Sequence, residues 1–194
     1  MATPARRLAT VEELLKRVQA GEPYLELWDG ELVQQAMSRP SHSRAALRIG
    51  SVFGPYDEEQ DGEGPGGWWI FVEIHWRIHS AQAVVVDVAG WRRSRLPEPP
   101  DGAIPIPPDW ACEVLTPGDT ARDLVDKAAL YAKEGVPWYW IVDAEEGVIE
   151  CRQLVGAHWQ VQGTWKRGQV ARIPPFEGLE IALDQLFLPR RKLT

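Results

Sequence analysis

Two apolar runs, each interrupted by one carboxylate, constrain this chain most. Ala83 to Ala89 is apolar except for Asp87, and Trp110 to Leu115 is apolar except for Glu113. A strand that is apolar at consecutive positions is covered on both faces, so helices must supply the cover. Between Trp110–Leu115 and a third apolar strand, Trp138–Val142, lies a helical pattern from about Ala121 to Glu134. Gly135 ends that helix as a left-handed cap and Pro137 blocks its extension. A strand–helix–strand unit predicts a parallel pair with a right-handed crossover, hence an α/β fold.

The flanking segments complete the outline. Thr10 and Glu13 form a capping box, and Leu14, Leu15 and Val18 give a first helix its apolar stripe. Tyr24–Trp28 and Glu31–Gln35, joined by Asp29-Gly30, predict a hairpin. A second helix follows Pro40, with Ser41 expected as its cap and Ala45, Ile49, Val52 and Phe53 as its buried face. Asp57 to Gly67 reads as a polar, glycine-rich loop. Trp68–His79 alternates as a long strand, with Val72, Ile74, Trp76 and Ile78 on one face and Glu73, His75, Arg77 and His79 on the other. Residues 90–108 form a long connection carrying Arg92, Arg93, Arg95 and six prolines. Thr116–Thr120 reads as a helix-capping turn. Short antiparallel strands are expected near 148–154, 158–162 and 169–173, with a last short helix near 183–187. No repeat or linker divides the 194 residues, so a single domain over 1–194, with its core at about 8–188, is expected.

Composition narrows the function classes. The net charge of −7 argues against a non-specific nucleic-acid coat, which would be basic. No apolar run is long enough to span a membrane, and Met1–Leu8 lacks the apolar stretch of a secretory signal, so a cytoplasmic protein is expected. The two cysteines, Cys112 and Cys151, lie in apolar strands without metal-ligand spacing, and are expected buried and reduced. Ten tryptophans spread from Trp28 to Trp165 read as packing residues rather than a stacking platform.

A buried, unpaired carboxylate costs several kcal/mol, so Asp87 and Glu113 must be neutral, paired or bound to a metal. Two carboxylates at strand ends of one sheet suit a hard divalent cation; pairing with a neighbouring cation or backbone N–H is the structural alternative. If they stand side by side without metal they repel, and at least one should carry a raised pKa. Lys127 follows Leu124 by three residues and precedes Tyr131 by four, which puts it on or beside the apolar face of its helix.

Asp109-Trp110-Ala111-Cys112-Glu113-Val114-Leu115-Thr116-Pro117, then Asp123, Lys127 and Tyr131, then Gly135-Val136-Pro137 and Tyr139–Asp143 resemble a bacterial family of restriction-endonuclease-like proteins within the PD-(D/E)XK nuclease superfamily. Glu26–Leu32, Ser41-His42, Gly66–Trp69 and Val86–Arg93 are similar to further signatures of that family. The resemblance runs from about residue 8 to residue 188. It implies a central mixed β-sheet flanked by helices, with extra C-terminal antiparallel strands.

The resemblance also implies that Asp87 and Glu113 are the metal-binding carboxylates, with the Val114 carbonyl as a third ligand for Mg²⁺, or Mn²⁺ as its substitute. The proline usual before the first acid is Val86 here. The lysine expected two residues after Glu113 is replaced by Leu115, and Lys127 on the following helix matches the position that takes over in this family. The implied activity is metal-dependent endonucleolytic hydrolysis of phosphodiester bonds in DNA. Glu73 and Glu26 are further candidate carboxylates of the site. His42, at a helix start, together with Arg44, Arg92 and Arg93, are candidate phosphate contacts. Arg48 shares the helical face of Arg44, and Arg95 the loop of Arg92. Cleavage of both strands would favour a homodimer. Two other functions compete: a non-catalytic nucleic-acid-binding or regulatory module that kept the fold, and an enzyme acting on another phosphate-bearing substrate.

Overall fold

In the computed structural model the hairpin and the two interrupted apolar runs form strands, as the residue pattern predicts. The structure describes residues 8–22, 24–35, 37–58, 65–115 and 122–189. Most of the predicted glycine-rich loop, the turn at 116–120 and the Arg190-Arg191-Lys192 tail lie outside the described residues. The chain packs as two units, one built from residues 1–37, 75–85 and 100–106, the other from 38–74, 86–99 and 107–194.

In the first unit, helix α1 (Val11–Gln19) carries the expected capping box between Thr10 and Glu13. Strands β1 (Leu25–Trp28) and β2 (Glu31–Gln34) form the antiparallel hairpin. Its turn residues have positive φ, 47° at Asp29 and 82° at Gly30, as the twist of a two-residue hairpin requires. Val11, Leu14, Leu25, Leu27 and Ala83 make a small core of their own.

The second unit begins with α2 (Pro40–Val52) and the short α3 (Gly54–Asp57). Here Arg39, not Ser41, is the N-cap, because Pro40 occupies the first turn, where its missing N–H costs nothing. His42, Ala45, Ala46 and Ile49 are buried, and Phe53 just beyond the helix is fully enclosed.

Strand β3 (Trp68–His79) pairs with β4 (Gln82–Arg92), and both contribute residues to each unit. The predicted alternation along β3 is broken at Glu73, whose φ of 52° turns the backbone left-handed. Val72, expected inside, is 41% exposed, while Trp76 is buried. A non-glycine residue at positive φ cannot be read from hydropathy; here it separates the exposed Val72 from Ile74, Trp76 and Ile78, which keep the predicted face.

Strand β4 continues to Arg92, so that residue ends a strand rather than lying on the loop expected there. It runs antiparallel to β5 (Trp110–Leu115), which runs parallel to β6 (Trp138–Asp143). Between β5 and β6, a π-helical segment Arg122–Lys127 continues into α4 (Ala128–Lys133). Gly135 follows at φ 78° as the left-handed cap. The antiparallel strands β7 (Val148–Val155) and β8 (His158–Lys166) extend the sheet from β6. The pair β9 (Val170–Ala171) and β10 (Ile181–Ala182) and a 3₁₀ turn at Leu183–Gln185 follow. The result is an α/β fold with a mixed sheet and extra C-terminal antiparallel strands.

The core of this unit is aromatic. Phe53 and Phe176 sit 4.0 Å apart between Trp110 and Trp140, which meet edge to face at 5.2 Å. Five of the tryptophans are fully buried, which matches their reading as packing residues. Cys112 and Cys151 are free and buried. Burial pushes the Cys112 thiol well up and the Cys151 thiol up to about 12, the latter against an opposing hydrogen bond with Trp140. Thiolate is therefore scarce at neutral pH. Native protein treated with a thiol reagent at pH 8 should label at the rate of unfolding, and two thiols should react at once in denaturant. Rapid native labelling would contradict this burial.

Candidate active site

Asp87 and Glu113 meet because β4 and β5 are antiparallel neighbours. Val88 pairs with Cys112, so continuing the register by one residue sets Asp87 opposite Glu113 on the same face of the sheet. Beyond that pair the backbone ladder gives way to side chains. Val114 donates its N–H to Asp87 Oδ2 at 2.7 Å.

The same oxygen meets His42 Nε2 at 3.0 Å, on a ring that is 8% exposed. The buried face of α2 brings His42 there, in the first turn of the helix. The ring of His42, a candidate phosphate contact, lies against Asp87. Asp87 Oδ1 carries no hydrogen bond among the described residues, and the side chain is 14% exposed.

Glu113 is enclosed from the helix side. Lys127 donates to its Oε2 at 2.9 Å, and both side chains are 1% exposed. The Tyr131 hydroxyl donates to Oε1. Lys127 closes the π-helical segment and Tyr131 lies one turn further on. A π turn shifts the helical phase, and such turns recur at functional sites. Tyr131 was not among the residues singled out for chemistry; its spacing of four from Lys127 was the signal that it shares Lys127's face.

The charges around Asp87 decide its protonation. Burial raises its pKa, but the hydrogen bond and charge of His42, the charge of Lys127 and the Val114 N–H outweigh it and hold the carboxyl below its ordinary value. The expected like-charge repulsion therefore does not raise Asp87, because cations stand closer to it than that argument assumed. The unfolded carboxyl titrates near 3.9. A depressed folded value means that Asp87 adds stability above about pH 4 and loses it as pH falls through the folded value. Urea melts between pH 2 and 6 should show that acid loss, and His42→Ala should flatten it. An unchanged pH profile in His42→Ala would refute the pairing.

The other candidates are placed differently. Glu26 is fully buried in the first unit, where it accepts the Val85 N–H at 2.9 Å and the Trp28 indole N–H at 2.8 Å. Glu73 is exposed on its left-handed bulge and forms no hydrogen bond or ion pair among the described residues. Arg44 is exposed on α2. Arg48 donates to the Gln185 carbonyl at 3.0 Å. Arg92 lies over the Trp68 ring at 4.0 Å. Arg93 lies over Trp69 at 3.4 Å and donates to the carbonyls of Trp68 and Asp57, so its guanidinium ties strands and helix together. Arg95 pairs with Asp109 at 2.8 Å.

The donors suit a hard divalent cation. Asp87 offers an oxygen with no hydrogen bond among the described residues, and Glu113 presents its carboxylate on the same face of the sheet. Among the described residues no group of three or more His, Cys, Asp or Glu is placed to hold a metal ion, so backbone carbonyls and water would complete the shell.

The sequence model of the Uma2 family, described as "Putative restriction endonuclease", matches residues 11–184. The chain belongs to this family. Its fold is similar to that in the crystal structure of a "putative nuclease belonging to DUF820" from Anabaena variabilis ATCC 29413. The two are 25% identical with a TM-score of 0.67, over 92% of this chain and 97% of that one. No curated protein matches the chain. Family and fold together point to a nuclease. Among the described residues no helix is long and apolar enough to cross a membrane.

Proposed function

We propose that the chain is a metal-dependent endonuclease that hydrolyses phosphodiester bonds in DNA. The observation that carries this reading is the meeting of Asp87 and Glu113 with a buried lysine, Nζ 2.9 Å from Glu113, in a chain of a restriction-endonuclease family. Asp87, Glu113 and the Val114 carbonyl would hold Mg²⁺ or Mn²⁺. The bound ion would supply an activated water and neutralise charge on the phosphate.

The chain's own residues do the positioning. His42 and the Val114 N–H fix Asp87 Oδ2, which leaves Oδ1 for a ligand. Tyr131 and Lys127 fix the two oxygens of Glu113. The Lys127 ammonium adds a fixed positive charge beside both carboxylates, suited to a phosphate's developing negative charge. Its place on the helix leaves the strand position at Leu115 free of the usual lysine.

The test is direct. Supercoiled and linear DNA incubated with the protein should be cut in Mg²⁺ or Mn²⁺ and left intact in EDTA. DNA left uncut in Mg²⁺, Mn²⁺ and Co²⁺ by a folded protein would remove the nuclease reading in favour of a binding module.

A further inference from the structure

A cavity of about 600 Å³ opens at the start of α2, lined by Arg39, Ser41, Glu145, Arg167 and Leu188 among others. Arg167 is set into its wall. The side chain is 15% exposed, and its guanidinium lies 5.0 Å from the Phe187 ring centroid. Gly147 makes room for it, since a Cβ there would come within 2.9 Å of Nε. That Nε is buried and finds no acceptor among the described residues. Asp184 stands 4.0 Å from the guanidinium and is itself mostly exposed. A cation this enclosed and this thinly paired is unfavourable until an anion completes it.

Arg39 is the second cation. As the N-cap of α2 it borders the same cavity, and it meets Glu145 at 3.1 Å in a pair whose members are both about half exposed. An exposed pair of this kind is weak and exchanges readily for a better anion. Ser41 lines the cavity, and the next residue, His42, holds Asp87. The cavity is therefore a neighbour of the carboxylate cluster along α2.

We infer that this cavity is a subsite for a non-scissile phosphate of the DNA backbone, bound by Arg167 and Arg39, with Glu145 occupying Arg39 until DNA arrives. The inference rests on the nuclease reading and deepens it. The guanidinium fork matches phosphate in a way an ammonium does not. A polynucleotide that places one phosphate at Asp87 and Glu113 presents others beside it. In a chain of net charge −7, such local contacts must supply the attraction for the backbone.

The test measures binding of a fluorescent DNA duplex by anisotropy across a salt series, with Ca²⁺ in place of Mg²⁺. Arg39→Gln should weaken binding several-fold and reduce the salt slope by about one. Glu145→Gln should tighten binding by about 2–5-fold, because it removes the competing carboxylate. Arg167→Gln should also weaken binding, but its side chain is packed and the variant can lose stability. Arg39 and Glu145 are exposed, so their variants should melt where the parent does and decide the matter alone. If the parent binds and cuts DNA while neither variant changes affinity or salt slope, the subsite is wrong and the nuclease reading stands. If the parent neither binds nor cuts DNA, both fall.

Discussion

Asp87→Asn is expected to lower metal-dependent DNA cleavage by at least about three orders of magnitude. Losing an anionic ligand forfeits several kcal/mol of charge stabilisation, and each 1.36 kcal/mol is tenfold in rate. The same change should abolish the response of folding to metal. At free metal about 100 times Kd, a site present only in the folded state adds roughly 2.7 kcal/mol. For a domain of this size that raises the melting temperature by about 5–10 °C. The metal-free comparison is equally informative. Reasoning from like-charge repulsion alone, the Asn variant would match or exceed the parent in EDTA. The structure reverses that sign, because Asp87 Oδ2 accepts from both His42 and the Val114 N–H. Hydrogen bonds to a charged group contribute about 1.5–3 kcal/mol each. Asn keeps one acceptor but loses the charge, so a loss of about 1–3 kcal/mol is expected. Thermal melts of parent and variant, in EDTA and in Mn²⁺, with and without a DNA duplex, measure all of this. A parent whose melting point ignores Mn²⁺ under every condition would sink the metal role of Asp87.

The residues of this site were legible in the sequence to different depths, for physical reasons. Strands β4, β5 and β6 were legible because a strand buried on both faces leaves a continuous apolar run, and a lone carboxylate inside it stands out. The parallel pairing of β5 and β6 followed from the helix between them. Lys127 beside Glu113 was legible; what holds Asp87 was not. His42 lies 45 residues from Asp87 in sequence, and a histidine in a first helical turn reads equally as an anion contact. The spacing of Lys127 four before Tyr131 placed it beside the apolar face, and both are buried; the π-helical form of residues 122–127 is what a period of 3.6 cannot register. Strict alternation puts Glu73 on the exposed face of β3, where it lies, but puts Val72 inside, and the positive φ at Glu73 defeats that part of the rule. Arg92 and Arg93 read as candidate phosphate contacts on charge alone, and only the fold shows them over the Trp68 and Trp69 rings. Arg39 and Arg167 lie 128 positions apart, and only the fold shows that one cavity joins them.

Lys127→Met should be the most destabilising single change at the site. Lys127 and Glu113 are each 1% exposed, so the pair is buried rather than screened by solvent. Removing one member of such a pair leaves the other as an uncompensated buried charge, which costs about 3–5 kcal/mol. Tyr131 still donates to Glu113 Oε1, but a neutral hydroxyl does not replace the ammonium. At roughly 2–4 °C per kcal/mol, a fall of about 6–20 °C in melting temperature is expected. Glu113→Gln alone should also destabilise, since Lys127 then loses its buried ion-pair partner at 2.9 Å and keeps only the more distant charge of Asp87. The double variant should recover much of either loss, because neither buried charge remains. A double-mutant cycle by urea denaturation would measure that coupling, with values above about 1 kcal/mol expected for residues in direct contact. Additive losses would mean that the two groups do not act as a pair. The cycle also separates folding from catalysis. The double variant should fold and yet cut no DNA, because it has lost both the second anionic ligand and the cation beside the phosphate. Cleavage at the parent's rate by that folded variant would move the chemistry away from the β4–β5 cluster.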